Sequence, residues 1–343
     1  MNALLASIPY WGQSLIKVVA VLSIVPVASL VFVYVYLFKM MAHMQSRLGP
    51  MEAGPHGVFQ LLAEAGKFLQ KEDIHPDGAD KWVFIAAPFI VLMSTFLLFL
   101  VIPGGPDLVI TNFDTGIFFA LAVSSLSVIG VLMAGWASAN KYALLGGLRA
   151  AGQLVAYELP MVLAVVGVVI QAGTMSMQGI IFKQANDKIF GLTAIGNPYI
   201  LTQFVGFLIF LISAQAELTQ TPFDMPVAES ELVAGYMVEY TGFRFLFFFM
   251  AEFGTAFGFS AIISILFLGG WTVPFIDATN NIMNWVGPAV LFGKIMVVSF
   301  LIFWVRFSYP RLREDQLQKF AWKVLIPVAL ANIVVTSILK VAF

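Results

Sequence analysis

An all-α polytopic membrane protein is predicted by three features of this 343-residue chain: its composition, its long apolar runs and the one-sided placement of its bases. Hydrophobic residues make up 60% and charged residues 11%, whereas a soluble domain carries roughly 25% charged residues. A helix needs about 20 apolar residues to cross a hydrocarbon core of about 30 Å. Eight runs qualify, at approximately 15–38, 82–102, 115–138, 154–173, 199–218, 244–268, 285–306 and 322–341. No soluble segment separates them, so 1–343 reads as a single membrane domain. No internal repeat of the kind that builds two-halved transporters is visible. No base precedes Lys17 and no cleavage site follows a short apolar core, so the N-terminus reads as lacking a signal peptide.

The bases set the predicted orientation. Loops after runs one, three, five and seven, with their flanks, hold Lys39, Arg47, Lys67, Lys71, Lys81, Lys141, Arg149, Arg244, Arg306, Arg311, Arg313, Lys319 and Lys323. The opposite side holds Lys183, Lys188 and Lys340. The positive-inside rule then puts the odd-numbered loops in the cytoplasm and both termini outside. A net charge of -1 argues against a nucleic-acid partner. The absence of cysteine excludes disulfides, thiolate zinc sites and cysteine-ligated iron–sulfur clusters. The three histidines, His43, His56 and His75, all fall in the first polar loop, leaving few ligands for an intramembrane haem. No metal site and no redox centre are expected in this chain, so any electrons move on another subunit.

After the first run, Arg47-Leu48-Gly49-Pro50 and Gly54-Pro55-His56-Gly57 shape a tight loop. Arg47 reads as a topology signal or as a polar lining of a ligand passage. The loop leads into a predicted amphipathic interfacial helix at about 57–71. Val58, Phe59, Leu61, Leu62, Ala65, Phe68 and Leu69 fall on one half of its wheel, and Gln60, Glu64, Lys67, Gln70 and Lys71 on the other. Such a helix lies in the membrane interface, either as an anchor or as the floor of a portal for a hydrophobic ligand.

The remaining segments carry acids where they are costly. The stretch from Gly146 through Arg149 to Tyr157-Glu158-Leu159-Pro160 drives Glu158 into the fourth run. From Glu217 to Glu252 the chain places Glu217, Asp224, Glu229, Glu231, Glu239 and Glu252 against one base, Arg244. Intramembrane carboxylates are functional candidates by default, and a cluster of like charges is expected to raise and couple its members' titrations. Asp224 could instead cap a short helix with Pro226 in its first turn. Gly254 and Gly258 form a small-xxx-small pattern read as close helix packing. Lys294, a lone base inside the seventh run, is expected to need an acid partner or water. The segment from Val305-Arg306 through Tyr309-Pro310-Arg311 to Arg313-Glu314-Asp315-Gln316 mixes bases with acids, which suggests ion pairs between loops on the cytoplasmic side.

These stretches, in this order, resemble the NuoH family of bacterial NADH:quinone oxidoreductases, counterpart of subunit one of mitochondrial NADH dehydrogenase in respiratory complex I. The resemblance runs from about Arg47 to Lys323. Its most specific parts are Pro222-Phe223-Asp224, then Glu229-Ser230-Glu231-Leu232-Val233-Ala234-Gly235-Tyr236 and Glu239-Tyr240, with Tyr309-Pro310-Arg311 and Asp315-Gln316-Leu317 in support.

The resemblance implies a membrane subunit of a proton-pumping oxidoreductase in a bacterial inner membrane. Its partners would be the quinone-site subunits of the peripheral arm, small membrane subunits and antiporter-like subunits. FMN and iron–sulfur clusters would sit in partner subunits, and quinone would be the substrate. Arg47, Glu64 and Lys67 would line or support the mouth of a quinone chamber. Glu158, Glu217, Asp224, Glu229, Glu231, Glu239 and Glu252 would form the proton-coupling path, with Arg149, Lys294, Arg306 and Arg311 as supporting charges. The chain departs from the family pattern at Glu64, where Asp is usual, at Gln220, where many members carry Arg, and at Val227, where many carry Glu. The equivalent subunit of a membrane-bound hydrogenase, formate hydrogenlyase or ferredoxin-type dehydrogenase is the alternative reading. Single cysteines placed at Lys67, Arg149, Glu229 or Arg313 should resist an impermeant thiol reagent in intact cells; labelling from outside would overturn the orientation.

Overall fold

The computed structural model describes residues 9–187, 196–273, 276 and 282–342; of Glu229 only the backbone is described. Lys188, one of the three outer bases, lies outside the described residues. Among the described residues, seven helices are long and apolar enough to cross a membrane. They are α1 (Tyr10–Met44), α3 (Lys81–Val101), α4 (Gly116–Ala137), α5 (Lys141–Ala172), α8 (Gly242–Phe267), α9 (Met283–Ser308) and α10 (Glu314–Ala342). Between α1 and α3 lies the short amphipathic α2 (Gln60–Gln70). Between α5 and α8 come α6 (Met177–Asn186) and α7 (Phe204–Glu217), the latter a shorter apolar helix.

Three helices, α1, α5 and α10, extend well past their apolar runs through polar and charged residues at their ends. α5 begins well before its run, at Lys141, where Asn140 Oδ1 accepts the Tyr142 amide at 2.8 Å as an N-cap. α10 begins at Glu314, where the Arg313 amide donates to Gln316 Oε1 at 3.2 Å. The fifth run does not form one helix. It breaks at Gln203, which separates a turn at Tyr199–Thr202 from α7. The side chain of Gln203 is buried there, donating to Thr336 Oγ1 at 2.6 Å and accepting from Asn332 Nδ2 at 2.9 Å. The interfacial helix starts later than its apolar pattern. Gly54 and Gly57 have positive φ and turn the chain, so Val58 and Phe59 precede the helix.

Two sets of hydrogen bonds organise the bundle. On the side predicted to be cytoplasmic, the Asp80 amide bonds the Ala137 carbonyl at 3.1 Å and the Leu312 amide bonds the Pro222 carbonyl at 3.1 Å. Inside, Gln153 Nε2 donates to the carbonyls of Ala216 and Phe223, both at 2.7 Å, tying α5 to the end of α7 and the turn after it. The apolar core centres on α8, whose Phe253 stacks on Phe303, which in turn stacks on Tyr36 at 4.9 Å. The small-xxx-small reading holds. A Cβ on Gly254 would come within 2.9 Å of Thr95, and one on Gly258 within 2.5 Å of Leu98.

Glycine matters most where α5 meets the acidic loop. Gly235 has φ +54, and a Cβ there would fall 1.7 Å from the Pro226 carbonyl oxygen. Gly146 faces it, its own Cβ position lying 2.7 Å from Gly235 Cα. Gly146→Ala should therefore lower stability by about 1–3 kcal/mol through overpacking. Gly66→Ala, with nothing within 4 Å, should be neutral or stabilising by up to about 1 kcal/mol. Thermal loss of assembled complex for the two variants, measured side by side, checks the pair; equal behaviour would refute this packing.

Candidate functional site

Two cavities take wall residues from the same stretch of α8. The first holds about 150 Å³ and is lined by Pro26, Ser29, Leu30 and Val33 of α1, by Leu61, Leu62, Glu64, Ala65 and Phe68 of α2, and by Leu246, Phe249 and Met250 of α8. It is apolar except for Ser29 and Glu64. Ser29 Oγ donates to the Met250 carbonyl at 2.9 Å, and Glu64 accepts from Gln60 Nε2 at 3.1 Å. The second cavity, of about 60 Å³, lies among α3, α4, α5, the end of α7 and α8. Its lining includes Glu217 and Glu252 with the hydroxyls of Ser94, Thr95, Ser124, Ser127, Thr219, Tyr236 and Thr255. That volume admits a few waters, and the lining offers each one several polar partners.

Glu217 is buried, and its Oε2 has no hydrogen-bond partner among the described residues. Glu158, on α5, stands within electrostatic reach of it and beside Ser125. Glu252 lies 3.4 Å from Arg306 Nη1, whose guanidinium rests about 6 Å from the ring centres of Phe253, Phe303 and Phe307. Asp224 is within electrostatic reach of Glu252 and Tyr236. Gln220 is enclosed beside Glu252, with both ends of its amide lacking a partner at hydrogen-bonding distance among the described residues. Buried polar atoms of this kind ordinarily hold water.

Nearer the surface the acids are neutralised rather than clustered. Glu231 is gripped from both sides, by Arg149 Nη1 at 2.6 Å and Arg311 Nη2 at 2.5 Å, while Arg149 also reaches Glu314 at 3.5 Å. The hydrogen bond from Arg149, aided by the charges of both arginines, holds the Glu231 carboxyl below the usual carboxylate range. The expectation of raised titrations across the cluster therefore fails at Glu231, because bases from two other segments outweigh the neighbouring acids. Glu239 accepts from Asn140 Nδ2 at 2.6 Å.

A family model for NADH dehydrogenase matches residues 16–337. The H subunit of NADH-quinone oxidoreductase from Brevibacillus brevis is 43% identical over 98% of this chain and 97% of its own length. The proteins of the same name from Bacillus cytotoxicus and Bacillus mycoides are 44% and 45% identical, each over 89% of this chain and 87% of their own. The chain belongs to the H-subunit family of NADH-quinone oxidoreductases. It is thus a membrane subunit of a multi-subunit oxidoreductase complex of the complex I type.

Against that family pattern, the structure brings together Glu158, Glu217, Asp224 and Glu252, and pairs Arg306 with Glu252. Glu64 faces the apolar cavity, but Lys67 and Arg47 do not line it. Lys67, one turn on from Glu64, is exposed, and exposed Arg47 bonds Gln45 Oε1 at 2.9 Å. The Glu229 side chain lies outside the described residues. Two expectations are corrected. Asp224 caps no helix: 221–228 is a run of turns, and the short helix that follows, Glu229–Leu232, has no side-chain cap. Lys294 has no acid partner among the described residues; its Nζ donates to the carbonyls of Leu268 at 2.7 Å and Thr272 at 2.8 Å, where α8 ends. A cation there satisfies the Leu268 carbonyl that the helix leaves open and the Thr272 carbonyl of the loop beyond it. Sequence reasoning missed Gln153, whose role is visible only once α5 lies against the turn it pins.

A carboxyl held low keeps its tie above the ordinary range, about 4.3, and loses it only as pH falls through the depressed value. The ties of Glu231 should persist from about pH 8 down to about pH 5, so backbone exchange at 309–313, corrected for its intrinsic pH dependence, should stay flat over that interval. Glu231→Gln should raise it several-fold. A rise in the unaltered chain within that interval would refute the assignment.

Proposed function

We propose that this chain forms the membrane-side chamber through which quinone approaches the redox arm of a proton-pumping NADH:quinone oxidoreductase, and that its buried acids carry the coupling signal onward. The observation that supports this most is the shared wall. One turn of α8 presents Met250 to the apolar cavity and Ala251 and Glu252 to the polar one. An isoprenoid tail leaving the bilayer matches the apolar walls of α1, α2 and α8. Quinone reduction itself takes place beyond this chain, on FMN-fed iron–sulfur clusters of the peripheral-arm subunits. The chain sits in the bacterial cell membrane with its odd-numbered loops in the cytoplasm.

Coupling follows from electrostatics at short range. A unit negative charge on quinone about 10 Å from a carboxylate interacts by about 1.7 kcal/mol at an effective dielectric of about 20, which changes a protonation equilibrium by roughly tenfold or more. Waters in the polar cavity let Glu217 and Glu252 exchange protons, and Glu158 extends the path towards the antiporter-like subunits. Glu231, clamped by arginines on the loop, serves as a fixed charge at the path's surface end. Glu217→Gln, Glu252→Gln and Glu158→Gln should each assemble. Each should keep electron transfer to ferricyanide and lose quinone-dependent turnover and proton pumping together, by roughly tenfold or more. Unaltered turnover and pumping in all three would refute the reading.

A further inference from the structure

The entrance helix α2 is not held by its own apolar face alone. Past its C-terminus the chain runs directly over the start of α8. There the Ile74 amide donates to Thr241 Oγ1 at 3.2 Å, and the Thr241 hydroxyl donates to the Glu72 carbonyl at 3.1 Å. Arg244 completes the junction. Its Nη2 lies 3.0 Å from Asp73 Oδ2, and its Nη1 lies 2.6 Å from His75 Nδ1. The guanidinium also stands 5.6 Å from the ring centre of Phe84 at the start of α3. Phe84 stacks at 4.1 Å on Tyr240, whose hydroxyl donates to the Phe84 carbonyl at 3.0 Å.

Side-chain exposure separates the partners: Arg244 is 12% exposed and Asp73 45%. A cation so enclosed needs its acceptors, because stripping them leaves a charge in an apolar setting. The site also demands a fork. One planar guanidinium reaches two acceptors two residues apart, and a lysine ammonium offers no such pair of fixed donors. The junction adjoins the cavity, since Phe68 and Leu246 line it and Phe68 stacks with Phe245 at 5.7 Å.

We infer that Arg244 is a positioning residue: by clasping Asp73 and His75 to the start of α8 it fixes the tilt of α2 and so the width of the apolar cavity that admits the ligand's tail. The ligand's identity as quinone rests on the proposed function; the clasp does not. The same residues lie next to Glu239-Tyr240, so the clasp joins the entrance helix to the end of the acidic loop.

The experiment uses the assembled complex carrying Arg244→Ala, Arg244→Lys or Asp73→Asn, the last at an exposed residue whose change leaves folding intact. Backbone exchange over 60–75 should rise roughly tenfold in Arg244→Ala and several-fold in Arg244→Lys and Asp73→Asn, while 309–313 stays unchanged. In the same preparations KM for a long-tailed quinone should rise several-fold with kcat kept, short-tailed quinone being less affected. Unchanged exchange over 60–75 in Asp73→Asn and in the Arg244 variants would overturn the clasp. Raised exchange with KM unaltered across tail lengths would uphold the clasp and overturn the quinone-portal reading.

Discussion

The constraint that organises this molecule is that a carboxylate inside a bilayer must be solvated by something other than lipid. The chain buries Glu217 and partly buries Glu158 and Glu252, and the packing around them follows from that need. Seven hydroxyl-bearing side chains converge on one small cavity. Arg306 is brought in across α9 to face Glu252, its charge spread over three aromatic faces. Gln153 holds the turn after α7 against α5 by two carbonyls, which keeps the Glu217 end of that helix from drifting towards water. The glycines at Gly146 and Gly235 let the acidic loop approach α5 closely, which sets Tyr236 at the cavity wall.

Charge is handled differently at each depth. At the surface Glu231 has two arginines, and its proton affinity is set by them. One layer in, Glu239 has a neutral amide. Within the membrane Glu217 has one oxygen with no partner among the described residues. Glu252, by contrast, faces Arg306, so of the two acids lining the polar cavity Glu217 is the one less fixed by its neighbours.

Much of this was legible in the chain. Long apolar runs mark an all-α polytopic membrane protein, although of the eight runs the fifth breaks at Gln203 and leaves a shorter helix, and costly acids announce themselves by position. What stayed hidden was pairing across distance. Nothing near Lys294 in sequence indicates that its partners are carbonyls at the end of α8, and periodicity cannot show that Gln203 breaks a run by bonding Asn332 and Thr336. Periodicity grouped Lys67 with Glu64, but α2 rests on α1 and α8 so that only Glu64 of the two borders the cavity. The Arg244 clasp was invisible for the same reason: Asp73 and His75 read as an ordinary polar loop until α8 is laid beside them.

The two ends of α8 are held by different means, and the difference has a mechanical meaning. Its 26 residues span about 39 Å. At the far end Lys294 bolts the terminal carbonyls to α9 from within the protein; at the near end the attachments run through the exposed loop of Asp73 and His75. A rod held at both ends by named groups passes any displacement of one end on to the other. A tilt of about 3° about the Lys294 end carries the Arg244 end sideways by about 2 Å, given the rise of about 1.5 Å per residue, and moves Glu252, partway along the rod, by a smaller share of the same stroke.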